Sequence, residues 1–231
     1  MISFKKKLDN YNLYEVDVID STNDYLKDHY NEFNDKSILL AHTQTKGRGR
    51  LDHKWISGKD LTFSIIFNHK ENYQTPALAI ILALEELRID AKIKWPNDII
   101  YNDMKLSGIL IEEIYEDKFM ASIVGIGINL TDKEEFSVKD LGILYNIDKY
   151  ELLAKIIKNY EILLNKSKEE IYDLYKTYSL VLNKDISYNN IIYKVKDIAS
   201  DGALLVEKDN IVCRIDYGDI ILINSKIHVL N

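Results

Sequence analysis

The spacing of apolar residues changes near position 182, and that change restricts the fold more than any other feature of the chain. From Lys149 to Leu180, leucines, isoleucines and tyrosines recur every three or four residues, which marks helical faces. From Asn183 onward the runs become short and β-rich, at 185–188, 191–198, 203–207, 211–215 and 219–223. They are separated by Asn189-Asn190, Asp201-Gly202, Asp209-Asn210 and Gly218, residues that close tight turns. Short strands at regular spacing predict a small barrel, so the chain divides into residues 1–182 and 183–231. Only two prolines occur in the whole sequence and no floppy linker lies at the junction, so the two parts are expected to pack together.

The first part mixes both kinds of element, which predicts an α+β fold. Strands are expected at 13–19, 37–44, 61–67, 92–95 with 99–101, 108–114 and 119–130. Asp20-Ser21-Thr22-Asn23-Asp24 offers several capping side chains for a helix to about Phe33, and Pro76 suits the first turn of a helix to about Leu87. About 12 residues precede the first expected strand.

Composition excludes several classes. The chain has 231 residues, 46% of them hydrophobic and 29% charged, as in a globular protein. A net charge of -7 argues against nucleic-acid binding, which needs a basic face. No apolar run approaches the roughly 18 residues of a membrane span, and the lysines of the first eight residues are not followed by a signal-peptide core. The single cysteine, Cys213, permits neither an internal disulfide nor a thiolate metal cluster. These features predict a cytoplasmic protein with no DNA or membrane partner.

Of 30 Lys+Arg residues only four are arginine, and two of these lie in Thr45-Lys46-Gly47-Arg48-Gly49-Arg50. A guanidinium is a planar fork that grips a carboxylate or phosphate with two bonds, which an ammonium cannot do. Glycines beside it let the backbone approach a ligand. This segment reads as an anion-binding loop, against the simpler reading of a solvated surface loop.

Further segments carry groups suited to a site. Ser21, Thr22 and Asn23 stand at a helix start, as caps or as ligand contacts, and Gln44 leads a strand into the Arg loop. Trp55 follows the loop, either as a cover for a ligand or as an anchor. Lys94-Trp95-Pro96-Asn97-Asp98 ends a strand in a rigid turn with a carboxylate, and Lys105 precedes the apolar strand that contains Gly108 and Ile109. In Ile123-Val124-Gly125-Ile126-Gly127-Ile128-Asn129-Leu130, alternate glycines clear one face of a strand for a flat ligand, against the simpler reading of tight sheet packing. That segment lacks the third glycine of a dinucleotide fingerprint, and no Gly-Lys-Ser/Thr phosphate loop occurs.

Together these segments, in this order, resemble the biotin–protein ligases, also called biotin–[acetyl-CoA-carboxylase] ligases. The matching residues are Asp20–Asn23, Gln44–Arg50, Lys94–Asp98, Lys105–Leu110 and Gly125–Asn129, with Asp201–Glu207 similar to a turn and strand of the family's C-terminal barrel. The resemblance implies a catalytic domain related to class II aminoacyl-tRNA synthetases and an SH3-like barrel. It implies biotin and MgATP as substrates, biotinyl-5′-AMP as intermediate, and a lysine of biotin carboxyl carrier protein as acceptor. By resemblance Lys105 and Arg48 stabilise the reacting phosphoryl group. Ser21, Thr22, Asn23, Gln44, Gly47, Arg48, Gly49, Arg50, Lys105, Gly108 and Ile109 hold biotin and its adenylate. Trp55, Gly125 and Asn129 lie on the nucleotide side, and Asp98 is the expected Mg2+ or acceptor-lysine partner.

Two departures qualify the match. Relatives often carry another Arg before the Trp, whereas this loop continues Leu51-Asp52-His53-Lys54-Trp55. Many bacterial relatives also carry an N-terminal DNA-binding motif, for which the expected first strand leaves no room. The rival readings are a lipoate or octanoate ligase or transferase on a related scaffold, and a biotin-binding module without turnover. The sequence leaves open whether the chain acts as a monomer or a homodimer.

Overall fold

The structure is a computed structural model, described for residues 2–58, 60–131 and 141–223. Its larger sheet contains β1 (Ser3–Leu8), β2 (Tyr11–Ile19), β3 (Ser37–Gln44), β4 (Leu61–Phe67), β5 (Lys92–Lys94), β6 (Asp98–Tyr101), β7 (Met104–Tyr115) and β8 (Phe119–Ile128). The strand order is β1-β2-β3-β4-β8-β7-β6-β5. Only β2 and β3 run parallel, joined by the crossover helix α1 (Thr22–Asp28); every other neighbouring pair is antiparallel.

Helices α2 (Gln74–Glu86), α3 (Lys149–Leu164) and α4 (Lys168–Tyr178) pack on the large core, and α1 covers the opposite face. Alternation along each strand sets this division. In β3, Ile38 and Leu40 join the large core, while Leu39 and Ala41 join the smaller one with Leu26 of α1. No described helix is long and apolar enough to cross a membrane.

The second sheet is antiparallel: β9 (Asp185–Tyr188), β10 (Ile191–Ile198), β11 (Leu204–Lys208), β12 (Ile211–Ile215) and β13 (Ile221–Leu222), in the order β12-β11-β10-β9-β13. The turns Asn189-Asn190 and Asp209-Asn210 both have positive φ, the geometry that suits a two-residue hairpin. Ile186, Val195, Leu204 and Val206 join the large core, so the two sheets share one apolar interior. Trp95 reinforces this junction, because its buried indole donates to the Gly202 carbonyl at 2.7 Å. The last eight residues of the expected barrel, 224–231, lie outside the described residues.

Two expectations need correction. The first strand is β1, which pairs with β2 and was not foreseen. It is an exposed edge carrying Lys5, Lys6 and Lys7, so it has no apolar alternation to read, and its lysines discourage further strand pairing. The first α-helix ends at Asp28 instead of running to Phe33; one 3-10 turn, Tyr30–Glu32, then carries the chain to Phe33, which packs edge-on against Tyr14 and Tyr25. The expected helical stretch after Lys149 is present as two helices, because Ser167 and Glu170 form a capping box that starts the second.

Candidate active site

The site begins as a bare patch on the sheet. In β4, Leu61, Phe63, Ile65 and Phe67 face the large core, so Thr62 and Ser64 point to the α1 side. Strand register then sets Thr62 opposite Gly127, Gly127 opposite Gly108, Gly108 opposite Asp98, and Asp98 opposite Lys94. Directly opposed residues share a face, so one row crosses five strands with two glycines at its centre. The next row runs Ser64, Gly125, Leu110. A cleft of about 310 Å³ opens over this patch.

Two of the protein's own side chains lie against the glycines. A Cβ on Gly127 would fall 2.2 Å from Trp55 Cε2, and one on Gly125 would fall 2.2 Å from Asn23 Oδ1. The face that the glycines clear is therefore filled by the protein's own Trp55 indole at Gly127 and Asn23 at Gly125, which is the close-packing reading instead of an open face for a flat ligand.

One end of the cleft is a chain of neutral polar groups. The Thr22 backbone N–H donates to Gln44 Oε1 at 2.7 Å, and the Thr22 hydroxyl lies 2.6 Å from Ser64 Oγ. Ser64 donates to Asn23 Oδ1 at 2.6 Å, and Asn23 Nδ2 donates to Glu112 Oε2 at 2.9 Å. Ser21 caps α1, with its Oγ accepting from the Asp24 N–H at 3.2 Å. Burial pushes the Glu112 carboxyl up, but bonds from Asn23 and Arg48 outweigh it and hold the group below its ordinary range.

The other end is cationic. Lys105 Nζ lies 2.7 Å from Asp98 Oδ1, and the nearly buried Lys94 Nζ lies 4.0 Å from Asp98 Oδ2. Burial depresses the Lys94 ammonium, while the Asp98 charge opposes that shift. Arg50 donates to Asn97 Oδ1 at 2.9 Å, and Asn97 is itself held by donating to the Ile109 carbonyl at 2.9 Å. Five cations (Arg48, Arg50, Lys54, Lys94 and Lys105) line the cleft with two carboxylates, Asp98 and Asp219, while Asp24 and Glu112 pair with Arg48 beside it. A chain of net charge -7 thus concentrates an excess of positive charge at one place.

The Arg loop spans these two ends. It is closed on itself by the Trp55 N–H donating to the Gly47 carbonyl at 2.9 Å and the Gly49 N–H donating to the His53 carbonyl at 2.7 Å. Arg48 reaches back to α1 and β7, with Nε on Asp24 at 3.1 Å, and Nη2 on both Asp24 and Glu112. The Asp24 carboxylate keeps the guanidinium firmly charged.

Of the residues expected from sequence, Ser21, Thr22, Asn23, Gln44, Arg48, Gly49, Arg50, Trp55, Asp98, Lys105, Gly108, Ile109 and Gly125 all border the cleft. Gly47 and Asn129 stand behind it. Gly47 allows the Trp55 carbonyl to approach, and Asn129 donates to the Lys105 carbonyl at 3.1 Å. Ile109 borders the cleft although its side chain belongs to the large core. Ser64, Glu112, Lys94, Asn97 and Asp219 belong to the arrangement and were given no role from sequence. The polar Thr62 and Ser64 two apart in an apolar strand were the available signal for Ser64; Asp219, far along the chain, had none.

Asp98 is matched by two lysines, and among the described residues no three His, Cys, Asp or Glu side chains come together. The residues present do not form a preassembled metal centre, and Asp98 faces Lys105 and Lys94.

Comparison with known proteins agrees with this geometry. The sequence model of the Biotin/lipoate A/B protein ligase family matches residues 15–129. The bifunctional ligase/repressor BirA of Escherichia coli is 31% identical over 235 residues, covering 89% of this chain and 72% of that protein. Biotin–protein ligase 2 of Arabidopsis thaliana is 26% identical, over 84% of this chain and 69% of that protein. The structure of biotin protein ligase from Aquifex aeolicus in complex with biotin and ATP superposes with a TM-score of 0.76 at 31% identity, covering 92% of this chain and 99% of that one.

Proposed function

The chain belongs to the Biotin/lipoate A/B protein ligase family, among its biotin–protein ligases, and from that premise we infer how its residues divide the work of an ATP-dependent biotin ligation. In the first step an oxygen of the biotin carboxylate attacks the α-phosphorus of ATP, forming biotinyl-5′-AMP as pyrophosphate leaves. In the second, the ε-amine of a lysine on biotin carboxyl carrier protein attacks the acyl carbon. An amide forms, AMP departs, and the amine loses its proton. Residues 1–182 form the catalytic unit and residues 183–231 the appended barrel, in a cytoplasmic protein.

The observation that carries the division of roles is the polarity of the cleft. A neutral relay of Thr22, Ser64, Asn23 and Gln44 suits an uncharged polar ring, which needs donors and acceptors but no counter-charge. The cationic end suits a polyphosphate. Bringing a carboxylate to a phosphate crowds negative charge, and ammonium and guanidinium groups fixed in advance lower that barrier.

Lys105 is the group we assign to the phosphoryl oxygens. Asp98 and the Asn129 contact to its carbonyl keep it in place. Arg50 faces the same end, with Asn97 orienting it. Arg48 spends Nε and Nη2 on Asp24 and Glu112, leaving Nη1 for a ligand, so it anchors the loop to the relay as well as contributing charge. Trp55 and the loop cover the bound group and keep water from the mixed anhydride. Magnesium accompanies the nucleotide in this reading, and no step is drawn through it.

The test is biotin-dependent pyrophosphate release. Release that requires both biotin and ATP, with lipoate inert, is expected. Release with lipoate or octanoate and none with biotin would overturn the reading.

A further inference from the structure

Arg50 borders the cleft and also touches the second sheet. A guanidinium has five N–H groups. Here Nη1 donates to Asn97 Oδ1 at 2.9 Å and to Asp219 Oδ1 at 3.2 Å, and Nη2 donates to the Gly218 carbonyl at 3.3 Å. These three bonds leave the Nε proton and one Nη2 proton for a ligand. Three contacts also fix both the place and the plane of the group, and two of the three come from the turn between β12 and β13.

That turn packs closely on β9. Gly218 has φ +112, where only glycine is at ease, and a Cβ there would lie 2.7 Å from Tyr188 Cε2 in β9. Asp219 touches the Arg loop a second time, with its Oδ2 3.9 Å from His53 Nε2. His53 stands where relatives often carry a further Arg, so in this chain one carboxylate from the second sheet meets the loop on both sides of its tip. Asp219 is 41% exposed, whereas the Arg50 side chain is 14% exposed. A half-exposed ion pair contributes little to stability, so its value lies in geometry.

We propose that Asp219 is a positioning residue for adenylate formation: it holds the Arg50 guanidinium so that the two unused N–H groups meet the developing charge in the cleft. The second sheet thereby completes the active site through its Gly218-Asp219 turn. The inference rests on the cleft being the adenylation site.

The experiment is a double-mutant cycle on the full chain, with biotin-dependent pyrophosphate release as one readout and tryptic cleavage after Arg50 in the unliganded protein as the other. Asp219→Ala is expected to lower kcat/KM about tenfold, less than the roughly hundredfold that a full ångström of misplacement brings. Asp219→Asn keeps an acceptor oxygen and is expected to recover most of that loss. In an Arg50→Ala background, Asp219→Ala is expected to add nothing, because its effect passes through Arg50. Cleavage after Arg50 should be faster in Asp219→Ala than in the parent, and should fall between the two in Asp219→Asn. Additive losses in the double variant, or parental kcat/KM in Asp219→Ala, overturn the proposal. So does an unchanged cleavage rate. The tryptic readout needs no turnover: a parent that releases no pyrophosphate refutes the adenylation reading, and the cleavage rates then decide separately whether Asp219 holds the loop.

Discussion

The two glycines of the Arg loop look equivalent in sequence, yet the structure requires them to respond differently to alanine. A Cβ on Gly47 would lie 2.4 Å from the Trp55 carbonyl oxygen and 2.9 Å from Gln44 Nε2. Contacts under 3.0 Å essentially do not occur, so one backbone must retreat by more than half an ångström. The atom in the way is main chain, and it belongs to the pair closed by the Trp55 N–H on the Gly47 carbonyl. Overpacking of this kind costs about 1–3 kcal/mol. A Cβ on Gly49 would meet only ordinary neighbours, His53 O at 3.4 Å and His53 Cβ at 3.5 Å, and its φ of -110° suits any residue. Gly49→Ala should therefore stay within about 0.5 kcal/mol of the parent. Because Gly47 sets the path of the loop into the cleft, its displacement should also lower the adenylation rate by up to about 10²-fold. Urea unfolding and biotin-dependent pyrophosphate release on both variants measure the contrast. Equal effects, or a silent Gly47→Ala, would refute the closed-loop geometry.

Further variants test other parts of the site. Lys105→Ala should slow pyrophosphate release about 10²–10³-fold, the usual cost of losing one preorganised donor; a rate within about threefold of the parent would remove Lys105 from the chemistry. Glu112 titrates below its ordinary range when folded, so its stabilisation is complete above the unfolded value of about 4.3 and disappears as pH falls through the lower folded value. Glu112→Gln should accordingly lose less stability on acidification below about pH 4.3 than the parent does, as read from urea midpoints at each pH; parallel curves would contradict the pairing. Trp95→Phe removes the donor to the Gly202 carbonyl and should lower stability by about 0.5–1.5 kcal/mol, and an unchanged unfolding midpoint would count against that junction.

Much of the fold was legible because its strands announce themselves locally. Leu61–Phe67 and Ser37–Gln44 were placed at their observed ends, and so were three strands of the second sheet, whose Asn-Asn and Asp-Asn turns have the positive φ those residues tolerate. The edge strand β1 was not legible, because an edge that guards itself with lysine carries no apolar alternation. The same contrast holds in the site. Arg48 and Arg50 were readable from rarity and the Gly125–Gly127 strand from spacing, whereas Lys105, one of many lysines, took its role only from the family resemblance. The row joining Thr62, Gly127, Gly108, Asp98 and Lys94 exists only once five strands are in register. The contact of Arg50 with Asp219 spans 169 positions and has no local trace.

The central claim is that this cleft makes and spends a biotinyl adenylate, and the most direct test is intact-mass analysis of a biotin carboxyl carrier domain incubated with the protein, biotin and MgATP. The account predicts one added biotin, dependent on ATP and lost when the acceptor lysine is replaced. A carrier left unmodified by biotin, but acylated when lipoate or octanoate is supplied, would contradict it.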